Sequence, residues 1–145
     1  MSNIIFKVAS SSEEIQRVQK MRFEVFTQEQ GIPNELDIDG DDERSIHVLA
    51  VDEQDQFMAS GRLTINGVEG VLSRIAVDQQ YRGAKLGQQI VKQLEKIANE
   101  KGVHSLSLAP HAYLEKFYAN LGYQTSPGEK QVGKYTLLTM TKSLK

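Results

Sequence analysis

The chain has 145 residues, is 39% hydrophobic and 25% charged, and carries a formal net charge of −2. It contains no cysteine, which excludes disulfides, thiolate metal sites and cysteine nucleophiles. No Lys/Arg-dense block marks a nucleic-acid face, and no apolar run approaches the ~20 residues that span a bilayer. The length, with no repeat or linker, predicts one domain over residues 1–145. The opening MSNIIFKVASSSEE lacks a basic region ahead of an apolar block, so the expected location is the cytoplasm.

Ile4 to Val8 alternates weakly and reads as an edge strand. Ser11-x-x-Glu14 is a capping box, followed at helical spacing by Ile15, Val18, Met21, Val25 and Phe26; this helix should end near Gly31 with Pro33 beyond. Residues 34–45 read as polar loop. Two strands, Ile46–Val51 and Phe57–Thr64, flank Glu53-Gln54-Asp55-Gln56, and Asn66-Gly67 turns the chain into a third, Val71–Val77. Leu86, Ile90, Val91, Leu94, Ile97 and Ala98 form one helical face that stops at Lys101-Gly102. A short strand at Ser105–Ala109 and a short helix at His111–Leu121 follow. Tyr123 and then Lys134–Thr141 supply the last strands. A central antiparallel meander followed by a crossover helix predicts an α+β fold with a mixed sheet, not a doubly wound one.

The most informative junction is Val71 to Val91. A strand ends in the polar turn Asp78-Gln79-Gln80-Tyr81, and Arg82-Gly83-Ala84-Lys85-Leu86-Gly87 opens a helix. Such a junction leaves backbone N–H groups pointing one way, a site for phosphate oxygens. It lacks both Gly-x-Gly-x-x-Gly and Gly-Lys-Ser/Thr. By local chemistry alone it is either an anion cradle or a tight strand-to-helix turn.

Ile75-Ala76-Val77 with Tyr81 to Gly87 resembles the acetyl-CoA loop of the GNAT N-acetyltransferase superfamily, whose pattern is Q/R-x-x-G-x-G/A. Arg82 fills the first place and Gly87 the last, while Lys85 stands at the middle glycine. Phe117-Tyr118-Ala119-Asn120-Leu121-Gly122-Tyr123 is similar to the superfamily's F-Y-x-x-x-G-F/Y segment. Val25 to Gln30, Asp37 to Asp42 and His47 resemble the ElaA-like subgroup, which also tends to carry R-G-x-K-x-G-Q, as in Arg82 to Gln88. A Pro-His step that the subgroup often has before its final methionine is replaced here by GKYTLLTM.

The resemblance implies a GNAT fold whose central, mostly antiparallel sheet is flanked by helices, with acetyl-CoA as cosubstrate and an amine as its partner. It places the pyrophosphate on Arg82, Gly83, Ala84, Lys85, Leu86, Gly87 and Gln88. The pantetheine arm would run beside Ile75, Ala76 and Val77, where the sheet splays. It also makes Tyr118 the catalytic acid; without the motif Tyr118 reads as an ordinary helix-face aromatic.

Direct attack requires a neutral amine, which for a lysine-like group at pH 7 costs about 4.6 kcal/mol. A base or desolvation should therefore matter more than an acid, and Glu29, His47, His111 and the acidic loop are the base candidates. Glu35 to Glu43 packs six carboxylates into nine residues, but in EF-hand register glycine is misplaced and Val48 stands at the final Glu position, so no metal is expected. The run is either a solvated loop or an acceptor rim that attracts a cation. Acceptor-site candidates are Glu29, Asp39, Asp42, Arg74 and His111; Arg22 and Arg74 would orient an acidic substrate group or pair with the carboxylates. Neither nucleic acid nor membrane is an expected partner, and edge strands near the C-terminus are compatible with a homodimer. Two other readings are an acyl-homoserine-lactone synthase-like acyltransferase and a non-catalytic acyl-CoA sensor.

Overall fold

A computed structural model describes residues 4–82, 85–132 and 134–144. The elements are β1 (Ile5–Val8), α1 (Ser12–Arg22), α2 (Asn34–Asp37), β2 (Ile46–Val51), β3 (Phe57–Asn66), β4 (Glu69–Val77), α3 (Leu86–Glu100), β5 (Ser105–Leu108), α4 (Glu115–Ala119), β6 (Gln124–Val132) and β7 (Tyr135–Ser143). The strands form one sheet in the order β1-β2-β3-β4-β5-β7-β6, and among them only β4 and β5 pair in parallel.

The Ser11 hydroxyl accepts the Glu14 N–H at 3.2 Å, and the Glu14 carboxylate accepts the Ser10 N–H at 2.8 Å. This starts α1. After Arg22 the helix widens into a π-helical segment, Phe23–Glu29, and stops at Gly31, whose φ of 76° suits glycine.

The loop expected at 34–45 contains α2, closed by the Ile38 N–H on the Asn34 carbonyl at 3.1 Å and anchored by the buried Asp37. No apolar stripe announces so short a helix, because it is held by ion pairs. The C-terminal hairpin is also longer than expected. β6 runs through Pro127 and Gly128 with a register break between Ser126 and Lys130. As an edge strand exposed along most of its length, it can hold proline and needs no alternating pattern.

Gly61 lets α3 lie directly on β3. A Cβ there would meet Ile90 Cγ2 at 2.5 Å and Leu94 Cδ1 at 2.9 Å, and both of those side chains are fully buried. The main core lies between α3 and the sheet, with Leu63, Leu72, Leu86, Val91, Leu106 and Met140 among its members. Apolar burial there, at about 25 cal/mol per Å², fixes α3 and hence the loop ahead of it. Among the described residues no helix is long and apolar enough to cross a membrane.

Candidate active site

β4 and β5 are paired only at Glu69–Val71 and Ser105–Ser107. Beyond Val71 and Ser107 the pairing between them ends, while β5 keeps β7 on its other edge from Ser105 to Leu108. The end of that pairing coincides with a bulge in β4. Ser60 pairs with Ala76 and Arg62 with Ser73, so Gly61 alone stands opposite Arg74 and Ile75. Arg74 adopts a φ of +55°, which costs a non-glycine residue about 1–2 kcal/mol. Bulges of this kind bend a strand and re-aim its side chains. The gap becomes a cleft of about 770 Å³, shared by Arg74 and Ile75 of β4, Pro110 and His111 after β5, Tyr118 of α4, and Asp39 from the loop after α2.

Tyr118 is 5% exposed and packs edge-on against Phe117 and Tyr123, with centroids 4.9 and 6.0 Å apart. Its hydroxyl has no hydrogen-bond partner among the described residues. Burial pushes its pKa up to about 12, so it stays a phenol at any working pH. The His111 ring stacks on Tyr113 and meets Tyr135 edge-on, at 5.2 and 4.5 Å. Its Nδ1 is buried without a partner among the described residues, and burial lowers its pKa below the usual value, which favours the neutral ring.

The loop ahead of α3 begins where β4 ends. The Arg82 guanidinium donates twice to the Val77 carbonyl, at 3.2 and 3.0 Å, and forms a two-pronged ion pair with Glu29. Hydrogen bonds from Arg82 hold the Glu29 carboxylate below its usual pKa. Glu29 therefore ties the end of the π-helical segment to this loop and does not line the cleft. Gly83 and Ala84 lie outside the described residues.

Lys85 is the N-cap of α3, at φ 59° and ψ 27°. That left-handed conformation explains why glycine is usual here and what lysine costs in its place. Lys85→Gly is expected to raise stability by up to about 1 kcal/mol in urea unfolding. The first N–H groups of α3, on Leu86, Gly87 and Gln88, have no acceptor within the helix. Gly87 is not demanded by the protein's own packing, since a Cβ there would reach Phe117 and Val77 only at 3.8 Å.

Behind the cleft sits a buried ion network. Arg22, fully buried, grips Asp37 through Nε at 3.0 Å and Nη2 at 2.9 Å, and Asp42 through Nη1 at 2.8 Å. Arg62 chelates Asp39 at 2.9 and 2.7 Å and also reaches Asp42 at 3.0 Å. Arg74 closes the belt on Asp37 at 3.0 Å and Asp39 at 3.2 Å. Burial opposes ionisation of Asp42, but hydrogen bonds from Arg22 and Gln19 and the arginine charges outweigh it and hold its pKa at about 2. Arg62 drives Asp39 still lower, against the cost of burial. Burial lowers the pKa of His47, whose Nε2 lies 2.8 Å from the Asp42 carbonyl.

Of the acceptor-site candidates, the structure thus brings Asp39, Arg74 and His111 to one cleft with Tyr118. Asp42 is buried behind them, paired with Arg22 and Arg62, and Glu29 pairs with Arg82 at the loop ahead of α3. Neither Arg62 nor Asp37 is among the site candidates the sequence offered, although Asp37 opens the Asp37 to Asp42 stretch. A lone arginine inside the apolar strand FMASGRLTIN was the available signal for Arg62. Among the described residues no cluster of three or more His, Asp or Glu could hold a metal.

Comparison with known proteins agrees with this architecture. The GNAT acetyltransferase domain profile matches residues 9–144. The N-acetyltransferase YjcF of Bacillus subtilis is 32% identical over 117 residues, covering 81% of this chain and 83% of its own. Escherichia coli ElaA superposes with a TM-score of 0.86 at 24% identity, over 97% of this chain and 99% of that one. An acyl-CoA N-acyltransferase from Pseudomonas aeruginosa gives 0.86 at 21%, over 98% and 99%. With the domain match spanning nearly the whole sequence, the chain belongs to the GNAT acetyltransferase family of acyltransferases.

Proposed function

We propose that the protein is an acetyl-CoA-dependent N-acetyltransferase that passes an acetyl group to a primary amine of a small molecule or peptide. The observation that carries this reading is the β4–β5 splay, with an unpartnered tyrosine hydroxyl in the cleft it opens. Divergence leaves the Ile75–Val77 edge of β4 without a strand on that side, so an extended pantetheine arm can pair there as a strand would. The pyrophosphate then falls on the N–H groups of Lys85 to Gln88, which the helix dipole favours. Gly87, unexplained by internal packing, suits a close approach of phosphate to the backbone.

The amine nitrogen attacks the thioester carbon, the C–S bond breaks, and the sulfur leaves as thiolate. Tyr118 donates a hydrogen bond to that sulfur. Full proton transfer from a phenol at about 12 to a thiolate near 8.5 is uphill by about 3.5 units, roughly 5 kcal/mol. Solvent therefore completes protonation of CoA, and the role of Tyr118 is charge stabilisation. The amine must lose a proton, and neutral His111, on the same cleft, accepts it. The reading places the protein in the cytoplasm, as a monomer or a homodimer.

Thermal shift with acetyl-CoA, followed by release of free thiol across an amine panel, tests the reading. A shift of several degrees with amine-dependent thiol release is expected. No shift removes the loop assignment; a shift without thiol release for any amine favours an acyl-CoA sensor.

A further inference from the structure

The carboxylates around the cleft are all matched by arginines. Asp37 is held by Arg22 and Arg74, Asp39 by Arg62 and Arg74, and Asp41 by Arg44 at 2.7 Å. The cations facing the same cleft retain unpaired donors. Arg74 uses Nε and Nη2 on the Leu36 and Asp37 carbonyls and the two aspartates, while its Nη1 has no partner among the described residues. Arg44 donates through Nε to Asp41 and Nη1 to Asn66 at 3.2 Å, leaving Nη2 without a partner among those residues. The Lys130 ammonium, on exposed β6, makes no hydrogen bond or ion pair among them. Three aspartates and four cations line the cleft, so its surface carries an excess of donors and of positive charge. A polyamine or lysine side chain would have to displace an arginine from a chelated carboxylate, whereas an anion would meet donors already free.

Resting on the N-acetyltransferase reading, we propose that the acceptor is an amine that also bears an anionic group, a carboxylate or a phosphate, bound by Arg74 with Lys130 and Arg44 at the rim. Arg74 stands at the bulge with positive φ; its guanidinium donates to the Leu36 and Asp37 carbonyls of α2, pairs with Asp39 just beyond it, and lines the cleft. A planar carboxylate can take two guanidinium hydrogen bonds at once, and a phosphate can do so with a third contact left for the ammonium.

Acceptors matched at the amine test this: 4-aminobutyrate against butylamine and 1,4-diaminobutane, and ethanolamine phosphate against ethanolamine. At low salt, kcat/KM is expected to be at least about tenfold higher for an acceptor with the anionic group than for its partner without it, carried mainly by KM. The pair that shows the larger ratio identifies the anion as carboxylate or phosphate. Lys130→Gln and Arg74→Lys should each shrink that ratio at least about threefold, as should 0.5 M salt. Lys130 is on an exposed edge strand, so its replacement keeps the test independent of folding. A ratio near one in both pairs, or a lead for the diamine, overturns this inference and leaves the acetyltransferase reading standing. Acetyl-CoA binding without turnover of any member overturns both.

Discussion

Tyr118→Phe is expected to lower kcat about 100-fold while changing the affinity for acetyl-CoA less than twofold. The phenol ring supplies the packing, against Phe117 and Tyr123, and phenylalanine keeps the ring, so the fold and the cleft survive. On the proposed mechanism the variant loses the donor to the leaving sulfur, and deleting one such preorganised donor typically costs 10²–10³ in turnover. The pH profile separates this role from simple acid catalysis at the usual tyrosine value. Because burial holds the Tyr118 hydroxyl protonated up to about 12, the wild-type rate should show no alkaline limb near pH 10 that disappears in the variant. Pre-steady-state measurement of thiol release ensures that chemistry, not product departure, is read. An unchanged single-turnover rate would remove Tyr118 from the mechanism and leave it an aromatic of the core.

The fold was legible where apolar side chains recur at a fixed period. The face of α3 and the three-stranded meander follow from such spacing, and the structure places Ile90, Leu94 and Leu63 fully buried as that pattern requires. Elements held by charge or by an edge were not legible. α2 depends on Arg22 reaching Asp37, fifteen residues away, and β6 faces solvent along most of its length, so neither carries a periodic signature. The loop ahead of α3 carries a local signal because its backbone restricts residue type; Lys85 holds the left-handed conformation that glycine usually supplies. The acceptor side could not be read in the same way. The carboxylates of the 35–43 run are written together in the sequence, but the arginines that pair with Asp37, Asp39 and Asp42 lie on α1, β3 and β4. Whether such a run is an acidic rim or one half of a neutral network depends on long-range pairing that no local pattern encodes.

That network sets the second large effect. Arg22→Met is expected to destabilise the protein by about 3–5 kcal/mol at pH 7, because it strips the fully buried cation from two buried carboxylates and leaves their desolvation only partly offset by Arg62 and Arg74. For a chain of this size the midpoint of thermal unfolding should fall by roughly 10–20 °C. The sign of the pH dependence follows from Asp42. In the wild type its folded pKa, about 2, lies below the ordinary carboxylate value. Its contribution is therefore fully present above about pH 4 and is lost as pH falls toward 2. Removing Arg22 moves that folded pKa upward, so protonation relieves the variant over the same range in which it weakens the wild type. The gap between the two proteins should be widest above pH 5 and narrow steadily on acidification, measured by urea unfolding at a series of pH values. Arg22→Met combined with Asp37→Leu and Asp42→Asn removes the stranded charges together with their partner and should recover most of the loss, as apolar replacement of a whole buried ion pair commonly does. A single variant that loses less than 1 kcal/mol, or a gap that widens in acid, would show that Asp37 and Asp42 are held by Arg62 and Arg74 alone, with Arg22 only filling space at the start of the π-helical segment.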